Sequence, residues 1–270
     1  MKFRISLARV IRLSGTATLL FMPLGALGDT SIVQQVKEES PAGTESSTRT
    51  VRVRGLKLRL DSAYDSKTIS YIYDLETGKR YRLDPRKREV YIADLASQAK
   101  ELQGGLILEQ IQTSIRPTGS ESEIHGVRCR EFIFDLQAPG LTYHARQLFL
   151  HDTGTVYISE QVHGADELTS FVREARKRGY LSAAALFSPT DSALGAFFYG
   201  DESKAMLMTS QSKSEPESRP GPLDAAPFSQ RQIHTVSVKT EAIPDESFQV
   251  PSDWKVKKDP LPPGGLRIFR

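Results

Sequence analysis

Few residues in this sequence have a type and spacing suited to chemistry. The chain carries one cysteine, Cys129, five histidines, and a Ser97-Gln98-Ala99-Lys100 run that places a lysine one helical turn beyond a serine. A single thiol closes no intramolecular disulfide, so stability has to come from packing. Val127, Cys129 and Glu131 alternate with Arg128, Arg130 and Phe132. The two arginines that would favour a thiolate therefore point away from Cys129, which reads as a small apolar side chain on a half-buried strand. His144 and His151 lie seven positions apart on one strand and face opposite sides, while His125 sits in a turn. With no His-x-His or Cys-x-x-Cys spacing, the sequence offers no metal ligand set. The serine–lysine pair lacks its companion phrase, because residues 238–241 read Val-Lys-Thr-Glu where Lys-Thr-Gly is needed, and it reads as the solvent face of a helix. Nucleophile elbows, phosphate-binding loops and dinucleotide fingerprints are missing too, so no catalytic residue and no cofactor is expected.

Aromatic residues are the remaining candidates for a site. Tyr71, Tyr73, Tyr81, Tyr91, Phe132, Phe134, Tyr143, Phe149 and Tyr157 all fall in alternating runs. Each one is accounted for as core; as a set, those of one parity on a curved sheet would line a ligand groove.

The elements that position them follow an N-terminal export segment. Lys2, Arg4, Arg9 and Arg12 precede an uncharged apolar stretch, Leu13 to Leu27, which ends in small residues and is too short to span a bilayer. Residues 1–28 are expected to be a cleaved signal peptide. They hold four of the 36 Lys and Arg residues, leaving 32 against 33 Asp and Glu in the rest of the chain. The near-neutral remainder gives no support to nucleic-acid binding, which needs a clustered basic surface.

Residues 29–49 are mostly polar and, apart from a short element at Ile32 to Val36, read as a leader or linker. From residue 50 onwards alternation dominates. Val51 and Val53 share one parity and Leu56, Leu58 and Leu60 the other, with Gly55 at the switch, so this is a bulged strand or two strands. A meander follows through turns at residues 76–79 and 84–87, and a second one spans residues 127–160 with turns expected at 138–140 and 152–154. A helix broken at Gly104-Gly105 is expected after Leu95. Another has Asp166 as N-cap, a Leu168, Phe171, Val172, Ala175 stripe and Gly179 as its stop. Residues 211–227 read as a mobile insertion, residues 232–243 as a final strand and residues 259–270 as a Pro/Gly-rich tail. Tight turns between successive strands give an α+β class of seven to nine antiparallel strands with two or three helices.

Two phrases carry a family resemblance. "TGSESEIHGVRCREFIFDL" (118–136) and "IPDESFQVPSDWK" (243–255) are similar to the single-Cys and Phe-x-Val-Pro signatures of a group of secreted bacterial proteins of unknown function, and "YIYDLETGKRYRLDPRKREVYI" is similar to that group's central meander. The group resembles the periplasmic lipoprotein-localisation carriers (LolA/LolB-like), and the resemblance covers most of residues 50–258. It implies a curved antiparallel β half-barrel with helices packed on the concave face and an apolar cavity for acyl chains, with no catalytic or metal-binding residue. Each methylene buried in such a cavity contributes about 0.8 kcal/mol. Ligand-lining residues would be Leu56, Leu58, Leu60, Tyr71, Tyr73, Phe132, Phe134, Phe149 and Phe171, with Arg54 holding a helical lid through backbone carbonyls. The expected partners are a hydrophobic ligand or an acylated lipoprotein, with an envelope protein and transient membrane contact as further possibilities. The expected place is the periplasm, with secretion or outer-membrane association as alternatives. The rival reading is an envelope scaffold module whose sheet face is filled by its own helices.

Overall fold

The computed structural model of the chain describes residues 28–41, 43–99, 112–143, 146–180, 198, 205–215 and 229–259. Its strands are β1 (Thr30–Ser40), β2 (Gly43–Arg54), β3 (Lys57–Ala63), β4 (Thr68–Asp74), β5 (Lys79–Asp84), β6 (Glu89–Asp94), β7 (Gln112–Ile124), β8 (Val127–Tyr143), β9 (Arg146–Ser159), β10 (Met206–Glu215), β11 (Ser229–Thr240) and β12 (Lys255–Lys258). They form one unclosed, curved sheet in the order β12-β6-β5-β4-β3-β2-β1-β11-β10-β9-β8-β7. The described helical segments include α1 at residues 95–99, α2 at Ala165–Lys177 and a 3₁₀ turn at Asp245–Phe248. The expected half-barrel architecture, a curved antiparallel sheet with few helices, is the one observed. Neighbouring strands are antiparallel throughout except at one edge, where β12 runs parallel to β6.

The central meander forms as its turns dictate. Asp74 pairs with Lys79 across a turn whose Gly78 has φ 66°, and Asp84 pairs with Glu89 across the next, where the Lys87 N–H donates to Asp84 Oδ1 at 3.2 Å. Gly55 and Leu56 close the β2–β3 hairpin, so the parity switch marks two strands.

Three expectations are corrected. Residues 29–49 hold no linker: β1 lies between β2 and β11 in the middle of the sheet, and β2 begins at Gly43. One partner of β1, β11, is about 200 residues away, and two buried polar side chains of β1 find their partners across that distance or more than 100 positions off. Thr30 Oγ1 donates to Gly164 O at 3.0 Å, and Gln34 Nε2 donates to Thr235 Oγ1 at 3.2 Å. The second meander has neither of its expected turns. Residues 138–140 fall in a register shift between Ala138 and Leu141 within β8, and Asp152-Thr153-Gly154 lies inside β9. Gly154 is there because Phe134, directly opposite, covers it: a Cβ would stand 2.7 Å from the Phe134 ring and 2.1 Å from Gln211 O. Residues 211–215, expected to be mobile, belong to β10. The remainder of that segment, most of the signal and tail regions, and the break expected at Gly104-Gly105 lie outside the described residues.

Helix α2 buries the expected stripe of Leu168, Phe171, Val172 and Ala175. Its N-cap is Gly164, with Asp166 in the first turn, so Asp166 is not the cap. At the other end the Gly179 N–H donates to Arg176 O and the Tyr180 N–H to Ala175 O, a glycine-type stop at the expected position. Three bonds strap the helix across the sheet. Glu167 Oε1 accepts from the Gly55 N–H at 2.6 Å, Arg178 Nη1 donates to Leu75 O at 2.6 Å, and Thr30 donates to Gly164. Beneath it Phe171 packs with Ile32, Val51, Val53, Leu58, Leu60 and Leu75. Phe171→Ala should cost about 3–5 kcal/mol of stability, read as a lowered urea midpoint at an unchanged slope. A loss under 1 kcal/mol would mean the helix does not pack as described.

Candidate ligand groove

Register places the expected lining residues in three groups. Leu58 pairs with Tyr73 and Leu60 with Tyr71, so these four share the face that α2 covers. Leu58, Leu60, Tyr73 and Phe171 are buried in one core, with Leu56 and Tyr71 half-buried at its margin. The hollow beneath α2 is therefore filled by the chain's own side chains. Phe132 and Phe134 belong to a different core, with Leu136, Val156, Ile158 and Phe198; the Phe132 and Phe198 rings meet edge to face, 5.2 Å between centroids. Phe149 lies on β9, and its side chain is outside the described set.

Arg54 bonds a backbone carbonyl, though not of α2. Its Nη1 donates to Ile243 O at 2.9 Å, its other nitrogen pairs with Asp245, and its guanidinium lies over the Phe248 ring. It holds the segment that follows β11. That segment crosses the sheet face opposite α2, where Val250 and Trp254 pack on Ile72, Leu83 and Val90 and Arg59 donates to Ser247 O at 3.0 Å.

Farther along the helix-covered face the apolar residues give way to cations and rings. Tyr73 pairs with Arg80, Tyr71 with Arg82, and Arg82 with Tyr91. The segment that follows β11 then passes through β12 and delivers Asp259 onto this face. The Asp259 carboxylate, fully buried, accepts from Arg80 Nη2 at 2.8 Å and Arg82 Nη2 at 3.2 Å, while its N–H donates to Ile92 O. The Arg82 guanidinium stacks 3.9 Å from the Tyr91 centroid, and Arg80 lies 5.6 Å from that of Tyr71. Both arginines keep a buried Nε–H with no hydrogen-bond acceptor, so donor capacity exceeds what Asp259 uses. Burial holds the Tyr73 phenol well above its ordinary range.

Beyond this cluster the face opens into a groove of about 670 Å³. Tyr64, Ile69, Tyr71 and Pro85 form its apolar wall, and Lys67, Arg82, Arg86 and Lys87 outnumber Asp65 and Asp84 around it. Such a volume, with an apolar wall and a few converging polar groups, suits a small amphipathic molecule. Of the residues expected to line a cavity, Tyr71 alone reaches this one. Sequence reasoning missed Arg82 and the basic turn as a site because hairpin arginines read as solvated. A helical face and a remote C-terminal carboxylate decide otherwise.

Cys129 is buried and bonds Val127 O at 3.3 Å, and burial pushes its thiol up, away from thiolate chemistry. Ser97 is exposed on the first turn of α1, where its N–H donates to Asp94 Oδ1 at 2.7 Å. Among the described residues no helix is long and apolar enough to cross a membrane.

No protein-family model matches the chain, and no curated protein matches it by sequence. Solved structures do resemble it in outline. An uncharacterized conserved protein from Thermus thermophilus is 8% identical over 87% of this chain and 92% of its own, with a TM-score of 0.40. A domain provisionally named an outer membrane lipoprotein-sorting protein, from Vibrio parahaemolyticus, is 6% identical over 83% and 90%, with a TM-score of 0.29. A DUF1329 family protein from Desulfovibrio piger is 8% identical over 82% and 90%, with a TM-score of 0.24. Likeness at this level describes a general sheet outline and assigns no family.

Two outcomes follow from this geometry. Asp259→Ala leaves two arginines without their buried counter-charge and should cost about 3–5 kcal/mol in chemical denaturation, where a change below 0.5 kcal/mol would place Asp259 in solvent. Glu89 is held below the usual carboxylate range first by its bond from Lys257 (2.5 Å) and then by Tyr91, and Glu131 first by Tyr157 and then by Thr118 (2.7 Å). A carboxylate whose folded pKa is depressed stabilises fully above its unfolded pKa, about 4.3, and loses that contribution as pH falls through the lower folded value. The urea midpoint should accordingly drop as pH falls below about 4.3. Glu89→Gln with Glu131→Gln should shrink that drop; an equal drop in the double variant contradicts the assignment.

Proposed function

We propose that the chain is an exported, non-enzymatic binding protein that holds a lipid, a lipoprotein acyl chain or another hydrophobic ligand against its curved sheet. The observation that carries this reading is the groove at Tyr71 and Arg82, where an apolar wall meets more cations than acids. It lies on the helix-covered face, displaced from the packed helix toward the basic turn. The apolar wall would take part of an acyl chain, and Lys67, Lys87 and Arg82 would attract an acidic head group. Export rests on residues 1–28, read as a cleaved signal that delivers the chain to the periplasm.

A second reading has its own support. Phe171 and its neighbours fill the space between α2 and the sheet, as an envelope scaffold module with no lipid ligand would require. Thermal unfolding with monomeric lysophosphatidylglycerol, palmitate and an N-acylated peptide separates the two. The carrier reading expects a raised midpoint with at least one of these, abolished by Ile69→Asp in the groove wall. No shift with any of them leaves the scaffold.

A further inference from the structure

We propose that His125 and His234 form a binding site for a tetragonal transition-metal ion, Cu²⁺ foremost and Ni²⁺ next. The two imidazoles come from places 109 residues apart, one in the β7–β8 turn and one in β11, and β9 and β10 separate their strands in the sheet. Their Nε2 atoms nevertheless stand 2.9 Å from each other, with ring planes inclined at 50°. Metal–imidazole bonds of about 2.0–2.1 Å meeting at a right angle put the two nitrogens about 2.9 Å apart, whereas tetrahedral ligands lie about 3.3 Å apart. The pair as it stands has the spacing of two adjacent ligands in a square or octahedral sphere.

The surroundings favour an ion over a plain hydrogen bond between the rings. His234 is fixed from both sides, since it pairs with Gln35 of β1 and Thr209 of β10. His125 is the first residue of a two-residue loop between the paired Ile124 and Val127, where its φ of 53° and the 75° of Gly126 are those of a type I′ hairpin turn. A hollow of about 410 Å³ opens beside His234, walled in part by Gln35, Ser47, Thr48 and Gln232, which gives room for waters at the remaining positions. Among the described residues no acid or thiol joins the pair to make three protein ligands. A closed structural zinc site with four protein ligands is therefore not what is built. Two imidazoles plus water suit Cu²⁺, which stands at the top of the divalent affinity order. An ion bound here would tie the hairpin at the β7 edge to the middle of the sheet, independently of any ligand in the groove.

The test uses the full chain, stripped of metal and of any affinity tag, titrated with copper sulfate by calorimetry and by electron paramagnetic resonance. One tight ion per chain is expected, with a spectrum showing two imidazole nitrogens. His125→Ala and His234→Ala should each weaken binding at least tenfold while His151→Ala and His163→Ala leave it unchanged, with folding checked by circular dichroism. The proposal is overturned if the parent chain binds no copper, if either His125 or His234 can be replaced without loss, or if the spectrum of the bound ion is the same in both single variants as in the parent.

Discussion

The burial of one helical stripe organises this molecule. Leu168, Phe171, Val172 and Ala175 enter the face formed by Val51, Val53, Leu58 and Leu60, and the removal of that apolar surface from water is the largest single contribution that fixes α2 on the sheet. The helix fills one end of the face, and the groove at Tyr71 and Arg82 opens at the other end, where aromatic and basic residues replace aliphatic ones.

An open sheet has two faces and two edges to manage, and the C-terminal segment manages the ones that α2 leaves. It is held by Arg54 and Arg59 as it crosses the opposite face, adds β12 to the edge at β6, and returns a carboxylate to the helix-covered face between Arg80 and Arg82. A buried and a half-buried cation cannot sit side by side on one face without a counter-charge, so Asp259 both fastens the crossing segment and permits Arg82 to line the groove. At the other edge β7 is long, polar and largely exposed, and its turn to β8 carries His125.

Much of the fold was legible because it is local. The β4–β6 meander follows from Gly78 and Asp84 in their turns, α2 from its stripe and Gly179, and the buried state of Cys129 from parity. What was illegible is non-local. β1 looked like a linker because eight of its eleven residues are polar and one of its two partner strands, β11, lies at the far end of the chain. Asp152-Thr153-Gly154 looked like a turn because composition cannot tell a turn glycine from one that makes room for a ring opposite, here Phe134. Of the candidate lining residues, parity could put Leu58 with Leu60 within its own strand, but only the cross-strand register placed them on one face with Tyr71 and Tyr73, and parity could not tell which of them the helix would bury.

By itself, then, the sequence determined what depends on neighbours along the chain: strand alternation, tight turns, one amphipathic helix, and the lack of any local catalytic or metal motif. The tertiary structure alone decided which distant residues meet. Asp259 joins Arg80 and Arg82 across more than 170 positions, and His125 joins His234 across 109. The physical reason is that sheet order and the path of a crossing segment are set by summed burial and backbone pairing over the whole chain, and no short window of residues contains that sum.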